Sequence, residues 1–183
     1  MKFEPINITL KNGASVLIRE GKVEDAEEIL LSMKEIFRDS EYLLISEDEF
    51  NMTVEQEIER IKAFENIPTS LFLTTTYNEK IIGNIGIVGN TMKKMKHTAS
   101  MGISLRKEWQ NIGLGRLLME KGIEWAKEKT PVEILWLDVF SPNKFAIQLY
   151  EKLGFVEDGR QKNFCKLRGN KYCDKIIMSL RIK

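Results

Sequence analysis

Apolar residues recur along the chain with two alternating periods, and the switches between them mark a mixed succession of strands and helices. Residues 6–10 and 15–19 alternate apolar and polar side chains on either side of Asn12-Gly13, which predicts a β-hairpin. From 23 to 37 the period lengthens to that of an amphipathic helix, with Ala26, Ile29, Leu30, Met33 and Phe37 along one side. A second helix is expected to start after Asn51 or Thr53 and to reach Glu65, with Val54, Ile58, Ile61 and Phe64 as its stripe and Pro68 as its stop. Residues 71–76 and 80–88 read as paired strands turning at Tyr77-Asn78-Glu79, and 97–105 as the next strand. A long helix over 114–129, a buried-type strand over 134–140 and a short helix over 142–153 follow, and strands 155–164 and 171–180 close the chain around Leu167-Arg168-Gly169-Asn170. In the short helix Ser141 reads as the N-cap and Pro142 as the first helical residue, with Ala146, Leu149, Tyr150 and Leu153 on one face and Gly154 as the stop.

With 183 residues, the chain is expected to form one domain, residues 1–183, with a substantial core. Its composition, 43% hydrophobic and 30% charged, suits a soluble globular protein, and a net charge of +1 favours neither nucleic acid nor a membrane surface as partner. The densest basic cluster, Lys93, Lys94, Lys96 and His97, reads as a solvated turn or a phosphate contact. No apolar run approaches the ~20 residues of a membrane span and the first residues do not read as a signal peptide, so a cytoplasmic location is expected. Cys165 and Cys173 would face each other across a hairpin turning at Gly169; free thiols are expected in a reducing compartment, and oxidation to a pair is the alternative. One histidine and two cysteines give no metal-binding pattern, so no metal is expected. Gly83-Asn84-Ile85-Gly86 matches the Gly-x-x-Gly loop of RNA-binding KH domains, but its apolar flanks mark a strand interior.

The chemistry concentrates between Met101 and Ala126. A strand ending in Ile103-Ser104-Leu105 leads through Gln110-Asn111-Ile112-Gly113-Leu114-Gly115-Arg116 into a long helix. The N–H groups of a first helical turn lack intrahelical partners and carry the positive end of the dipole, so the segment is suited to phosphate. The dinucleotide fingerprint fails, because Leu118 stands where its third glycine is required, and the P-loop fails because Arg116 and Leu117 follow Gly115. The segment does resemble the pyrophosphate loop of the GNAT family of N-acetyltransferases, Gln/Arg-x-x-Gly-x-Gly/Ala, matched by Gln110, Gly113 and Gly115. Downstream, Asn143 followed by Ala146, Tyr150, Gly154 and Phe155 resembles the next signature of that family, in the right order and spacing.

The resemblance spans roughly residues 14–181 and implies an α/β fold: a strongly twisted mixed sheet with helices on both faces. It implies acetyl-CoA as cosubstrate and a primary amine as acceptor, attacked directly; neither cysteine falls in the active region, so no acetyl-cysteine is expected. The backbone of Ile103, Ser104 and Leu105 would pair with the pantetheine arm. The N–H groups of Gln110, Asn111, Ile112, Gly113, Leu114 and Gly115 would take the pyrophosphate, with Arg116, Arg106 or Lys144 near the adenosine phosphate and Asn143 at the pantetheine end. Tyr150 would protonate the departing thiolate. Each has a plainer reading: Gln110 and Asn111 as a helix start, Asn143 as a turn residue, Tyr150 as a core aromatic. Many relatives carry a glutamate three residues before the position of Ile103, where this chain has Ser100, so the base is open. Glu47, Asp48 and above all Glu49 are candidates, or else a solvated acidic turn, and Asp138 is another. Around Gly159-Arg160, Tyr172, Asp174 and Met178 the ending looks like the bacterial subgroup that acetylates small amines, amino acids or protein N-termini. Small amines lead; protein N-termini, aminoglycosides or a non-catalytic acyl-CoA-binding module are the alternatives. A homodimer through the outer faces of the terminal hairpins, including Tyr172 and Ile176, is possible on this reading.

Overall fold

The computed structural model describes residues 3–183, the side chain of Arg168 excepted. In chain order its elements are β1 (Ile6–Thr9), β2 (Ser15–Glu20), α1 (Ala26–Asp39), α2 (Val54–Asn66), β3 (Leu71–Tyr77), β4 (Lys80–Gly89), β5 (Thr98–Leu105), α3 (Leu114–Lys129), β6 (Ile134–Phe140), α4 (Lys144–Lys152), β7 (Val156–Leu167) and β8 (Lys171–Arg181). One sheet of eight strands runs β1-β2-β3-β4-β5-β6-β8-β7, antiparallel except where β5 meets β6.

Both faces of the sheet are covered, and so β3 and β4 are buried along runs of consecutive residues rather than at alternate ones. β4 assigns its two faces residue by residue. Ile85 and Ile87 reach α3 at Gly122, where a side chain would come 2.7 Å from the Met101 methyl and 3.2 Å from Ile85. Gly86 points the other way and leaves room for Phe64 of α2. The larger core lies on the α3 and α4 side, with Leu118, Met119 and Trp125 over Ile85, Leu135 and Met178. The smaller one joins Ala26 and Ile29 of α1 and Ile61 of α2 to Phe72 and Ile81.

The helix ends follow local chemistry. Thr53 opens α2 through a capping box, accepting from Gln56 N at 3.3 Å while its own N–H donates to the Gln56 side chain at 2.9 Å. The first helix begins later than periodicity suggests: Val23–Asp25 is a separate 3-10 turn, and Asp25 is held by Arg19 at 2.6 and 2.8 Å. The segment from Gly83 to Gly86 is the interior of β4, as its apolar flanks require. Lys93, Lys94 and Lys96 form an exposed turn. Cys165 and Cys173 are register partners of β7 and β8, with free sulfurs 2.8 Å apart. Ile176 does not belong to an outer face: it is buried in the main core, and Ile177 is the exposed neighbour. No helix is long and apolar enough to cross a membrane.

Candidate active site

The site begins where the sheet divides. β5 pairs with β4 from Ala99 to Leu105, and β6 pairs with β8 along its whole length, yet β5 and β6 pair only over Thr98–Ser100 and Ile134–Trp136. Each strand is tied to its outer neighbour, so beyond Ser100 the two inner edges diverge, leaving the backbone of 101–105 facing 137–140 across a cleft. An unpaired strand edge is a template for an extended ligand rich in amide groups.

The loop after β5 is shaped by backbone conformation. Asn111 and Gly113 both have positive φ, 61° and 91°, which asparagine tolerates and glycine accepts without strain. The first intrahelical bond of α3 is Leu117 N to Gly113 O, at 3.1 Å. Among the described residues, no backbone carbonyl accepts from the N–H groups of residues 111–116. Fully buried Leu114 fixes the start of the helix, and Gly115 sits so close to β5 that a methyl there would lie 3.3 Å from the Leu105 side chain. Successive free N–H groups at a helix start form a concavity for an anion. Gln110 contributes differently from a direct ligand: its Nε2 donates to the Leu105 carbonyl at 3.1 Å, holding the loop against the end of the strand.

The wall opposite is α4. Its cap is Asn143, whose Oδ1 accepts from Ala146 N at 3.2 Å; Ser141 instead accepts from Asp174 N, so the helix starts two residues later than the Ser-Pro pattern suggests. The cap uses the Asn143 carbonyl and leaves its amide N–H groups available to the cleft. Two turns on, Tyr150 is only 8% exposed, and its ring packs 6.0 Å from that of Phe155. Burial, and then the charge of Asp138, push its phenol up to about 12.

Two cavities meet at this tyrosine. The first, about 410 Å³, runs between β5, the glycine loop and α4, lined by Gln110, Asn111, Gly113, Gly115 and Arg116 and flanked by the exposed ring of Phe145. The second, about 490 Å³, opens from the crotch of the sheet and is lined by Ser100, Gly102, Ser104, Asp138, Asn84 and Arg60 among others. Ile103, Asn143 and Tyr150 line both. Free N–H groups, an open strand edge and an adjoining arginine match the pyrophosphate and amide-bearing arm of a coenzyme A thioester, so the groove fits that group.

Ser100, Asp138, Asn143 and Tyr150 are thus brought together, and other residues are not. Arg106 is turned away from the phosphate loop: it is 9% exposed and lies against α1, with Glu28 at 3.3 Å, Glu35 at 3.0 Å and Ser32 at 3.3 Å. The arginine that the resemblance would set near the adenosine phosphate is here the latch between α1 and the end of β5. Lys144 does not line the groove, whereas Arg116 and Lys152 do. Glu49 faces a separate cavity with Phe37, Cys165 and Leu167, which adjoins the second only at Leu43. Its carboxylate accepts from Ser46 Oγ at 2.7 Å and Ser46 N at 3.0 Å, which hold its carboxyl below the usual range. Arg60 and Asn84 enter the site unannounced; in sequence Arg60 is one more polar residue of α2, with only the Glu57 spacing to suggest a partner.

Comparison with known proteins agrees with this geometry. Over 103 residues the chain is 32% identical to an L-amino acid N-acetyltransferase of Escherichia coli, covering 56% of this chain and 62% of that one. Over 100 residues it is 35% identical to the E. coli alanine N-acetyltransferase of ribosomal protein bS18, covering 55% and 66%. The matched segments thus span just under two thirds of these relatives. Among solved structures, an acetyltransferase of the GNAT family from Streptococcus pneumoniae superposes with a TM-score of 0.86 at 28% identity, over 91% of this chain and 99% of that one. A Salmonella typhimurium chain solved with its cofactor acetyl-CoA shares the fold, with a TM-score of 0.79 at 16% identity over 92% and 94%. Residues 30–155, more than half of the sequence, match the family directly, and the chain belongs to the acetyltransferase (GNAT) family.

Proposed function

We propose that this protein is an N-acetyltransferase that moves the acetyl group of acetyl-CoA to a primary amine of a small molecule by direct attack. The observation that carries the reading is the position of Tyr150, buried at the junction of the phosphate-binding groove and the second cavity. When bound, acetyl-CoA supplies the thioester that the amine attacks. The glycine-loop N–H groups and Arg116 bind its phosphates, the free edge of β5 orients its arm, and Asn143 meets the end of that arm.

The acceptor amine must lose a proton, since a lysine-like amine of pKa ~10.4 is neutral to only about one part in two thousand at pH 7. Asp138 lies on the wall of the second cavity, 4.0 Å from Lys175, and draws a cationic amine inward. With Ser100 across the crotch, it passes the proton to water. Unpaired N–H groups on the β5 edge stabilise charge developing on the acyl oxygen, a contribution of about 3 kcal/mol. Tyr150 holds its own proton throughout the physiological range and presents it to the sulfur as the thiolate departs. The burial that raises the phenol also raises a thiolate beside it, which keeps that transfer accessible. The same reading takes the chain as one catalytic domain in the cytoplasm, with the outer surface of the terminal hairpin around exposed Tyr172 as the surface for a two-fold pairing.

The test is thiol release from acetyl-CoA with amino acids, polyamines, aminoglycosides and short N-terminal peptides, beside direct measurement of acetyl-CoA binding. Release with a small amine is expected. Binding without release for any acceptor would overturn the catalytic reading and leave an acyl-CoA-binding module; release with peptides alone would move the acceptor to a protein N-terminus.

A further inference from the structure

We infer that the second cavity selects acceptors that carry a carboxylate beside the amine, and that Arg60 is the specificity residue. This rests on the cavity being the acceptor site. Of the side chains that line it, the charged ones are Arg60, from α2, and Asp138, from β6. One wall therefore offers a cation and another an anion, the complement of an amino acid zwitterion rather than of a polyamine or an aminoglycoside.

Arg60 is built to present one edge. Glu57, one turn earlier in α2 and only 1% exposed, accepts from Arg60 Nε at 2.7 Å and from Nη2 at 2.6 Å. The guanidinium plane lies over the Phe72 ring, 4.4 Å from its centroid, and also faces Phe64 at 5.5 Å. A carboxylate clamp on one side and aromatic faces against the plane fix the orientation of a side chain that is otherwise long and mobile. Two of its five N–H groups go to Glu57, leaving one on Nη2 and both on Nη1, without partners among the described residues. Those form the end-on fork that takes a carboxylate in two parallel hydrogen bonds. The arginine side chain remains about one-third exposed, at 34%, so the fork is reachable from the cavity. Glu57 already neutralises the cation, and the preference is accordingly one of geometry more than of net attraction.

The experiment is calorimetric titration into CoA-saturated protein, which needs no turnover. Each protein amino acid is titrated in turn, and the best binder is compared with its carboxamide and its decarboxylated amine. The acid is expected to bind at least about 10-fold more tightly than either analogue, the scale of one bidentate charge-assisted contact. Arg60→Met strands the buried Glu57 carboxylate and endangers folding, so the working variant is Arg60→Met with Glu57→Gln, its melting temperature measured beside wild type. In a folded double variant the acid-to-amide ratio should fall to about 1, while Arg60→Lys, which keeps the charge and loses the fork, should fall between. Equal binding of acid and amide to the wild type, no binding by any amino acid, or a ratio unchanged in the variant each overturn the inference. Thiol release with polyamines would do so too and leave the acetyltransferase reading standing, whereas failure of thiol release with every acceptor would leave the acid-to-amide ratio still to decide this one.

Discussion

The groove between β5, the glycine loop and α4 offers free main-chain N–H groups beside an open strand edge, whereas the cavity beyond it brings together polar and charged side chains from α2, β4, β5 and β6. A ligand recognised by main-chain N–H groups and a strand edge imposes few side chains but strict conformations: a left-handed residue at Gly113, space at Gly115, an opening at Ser100. A ligand recognised by side chains imposes no local pattern, because Arg60, Asn84, Ser100 and Asp138 stand far apart in the chain and meet only through the sheet order. The first region is suited to one constant cosubstrate, the second to an acceptor that differs between relatives.

Tyr150 belongs to both regions, and its loss should have the largest effect. Tyr150→Phe is expected to lower turnover about 10- to 100-fold, the scale of a single general acid. Acetyl-CoA affinity should hardly change, because the groove keeps its loop and strand edge. Steady-state kinetics beside equilibrium binding separates the two; unchanged turnover would reduce the tyrosine to a core aromatic.

The same side chain gives an alkaline signature. Below its ordinary value of 10.0 the phenol is protonated in both folded and unfolded chains, so burial costs nothing there. The unfolded chain releases the proton near 10 and the folded one near about 12, so stability is lost as pH rises across that window. The whole loss is about 3 kcal/mol, at 1.36 kcal/mol for each pKa unit. Denaturant melts of wild type and Tyr150→Phe between those pH values should converge on the acid side and diverge on the alkaline side.

A smaller effect belongs to the groove alone. Gln110→Ala removes the hydrogen bond that ties the phosphate loop to the Leu105 carbonyl, worth about 1 kcal/mol, and should raise the KM for acetyl-CoA about 5-fold with kcat little altered. An equal change in the acceptor KM would mean that the loop shapes both cavities.

The contrast also explains what could be read in advance. Strand and helix order followed from alternation in the first hairpin, from the helical period in the helices and from unbroken apolar runs in inner strands that the sheet buries on both faces. The conformation of the loop after β5 followed from glycine spacing, since positive φ at Gly113 and close approach at Gly115 leave marks in sequence. The place of Arg106 did not: a cation beside a loop suited to phosphate reads as a contact to it, and nothing local marks Glu28 and Glu35 of α1 as its partners. Asn143 as cap was masked by Ser141-Pro142, a locally better helix start that β8 diverts through the Asp174 N–H. Tyr172 and Ile176 share a side by the period of two, but that side is covered where Ile176 pairs with Val139 of β6 and open at Tyr172, which lies past the last β6 pair at Lys175.

Glu49 should have the smallest effect. Its place in the loop between α1 and α2 suggests a base, and replacing a true base by its amide would cost at least about 100-fold in turnover. The structure gives the carboxylate other work. Ser46 donates to it from both hydroxyl and backbone, closing a turn in the loop, and the cavity it faces is lined by Phe37, Cys165 and Leu167 rather than by Ser100 and Tyr150. Those hydrogen bonds favour the charged form, which weakens it as a proton acceptor. Glu49→Gln should therefore change turnover by less than about 2-fold and leave the melting temperature nearly unchanged, as expected for an exposed turn. A loss of turnover on the scale of a missing base, at unchanged melting temperature, would mean that the loop swings over the acceptor cavity during catalysis and that Asp138 is not the group that draws in the amine.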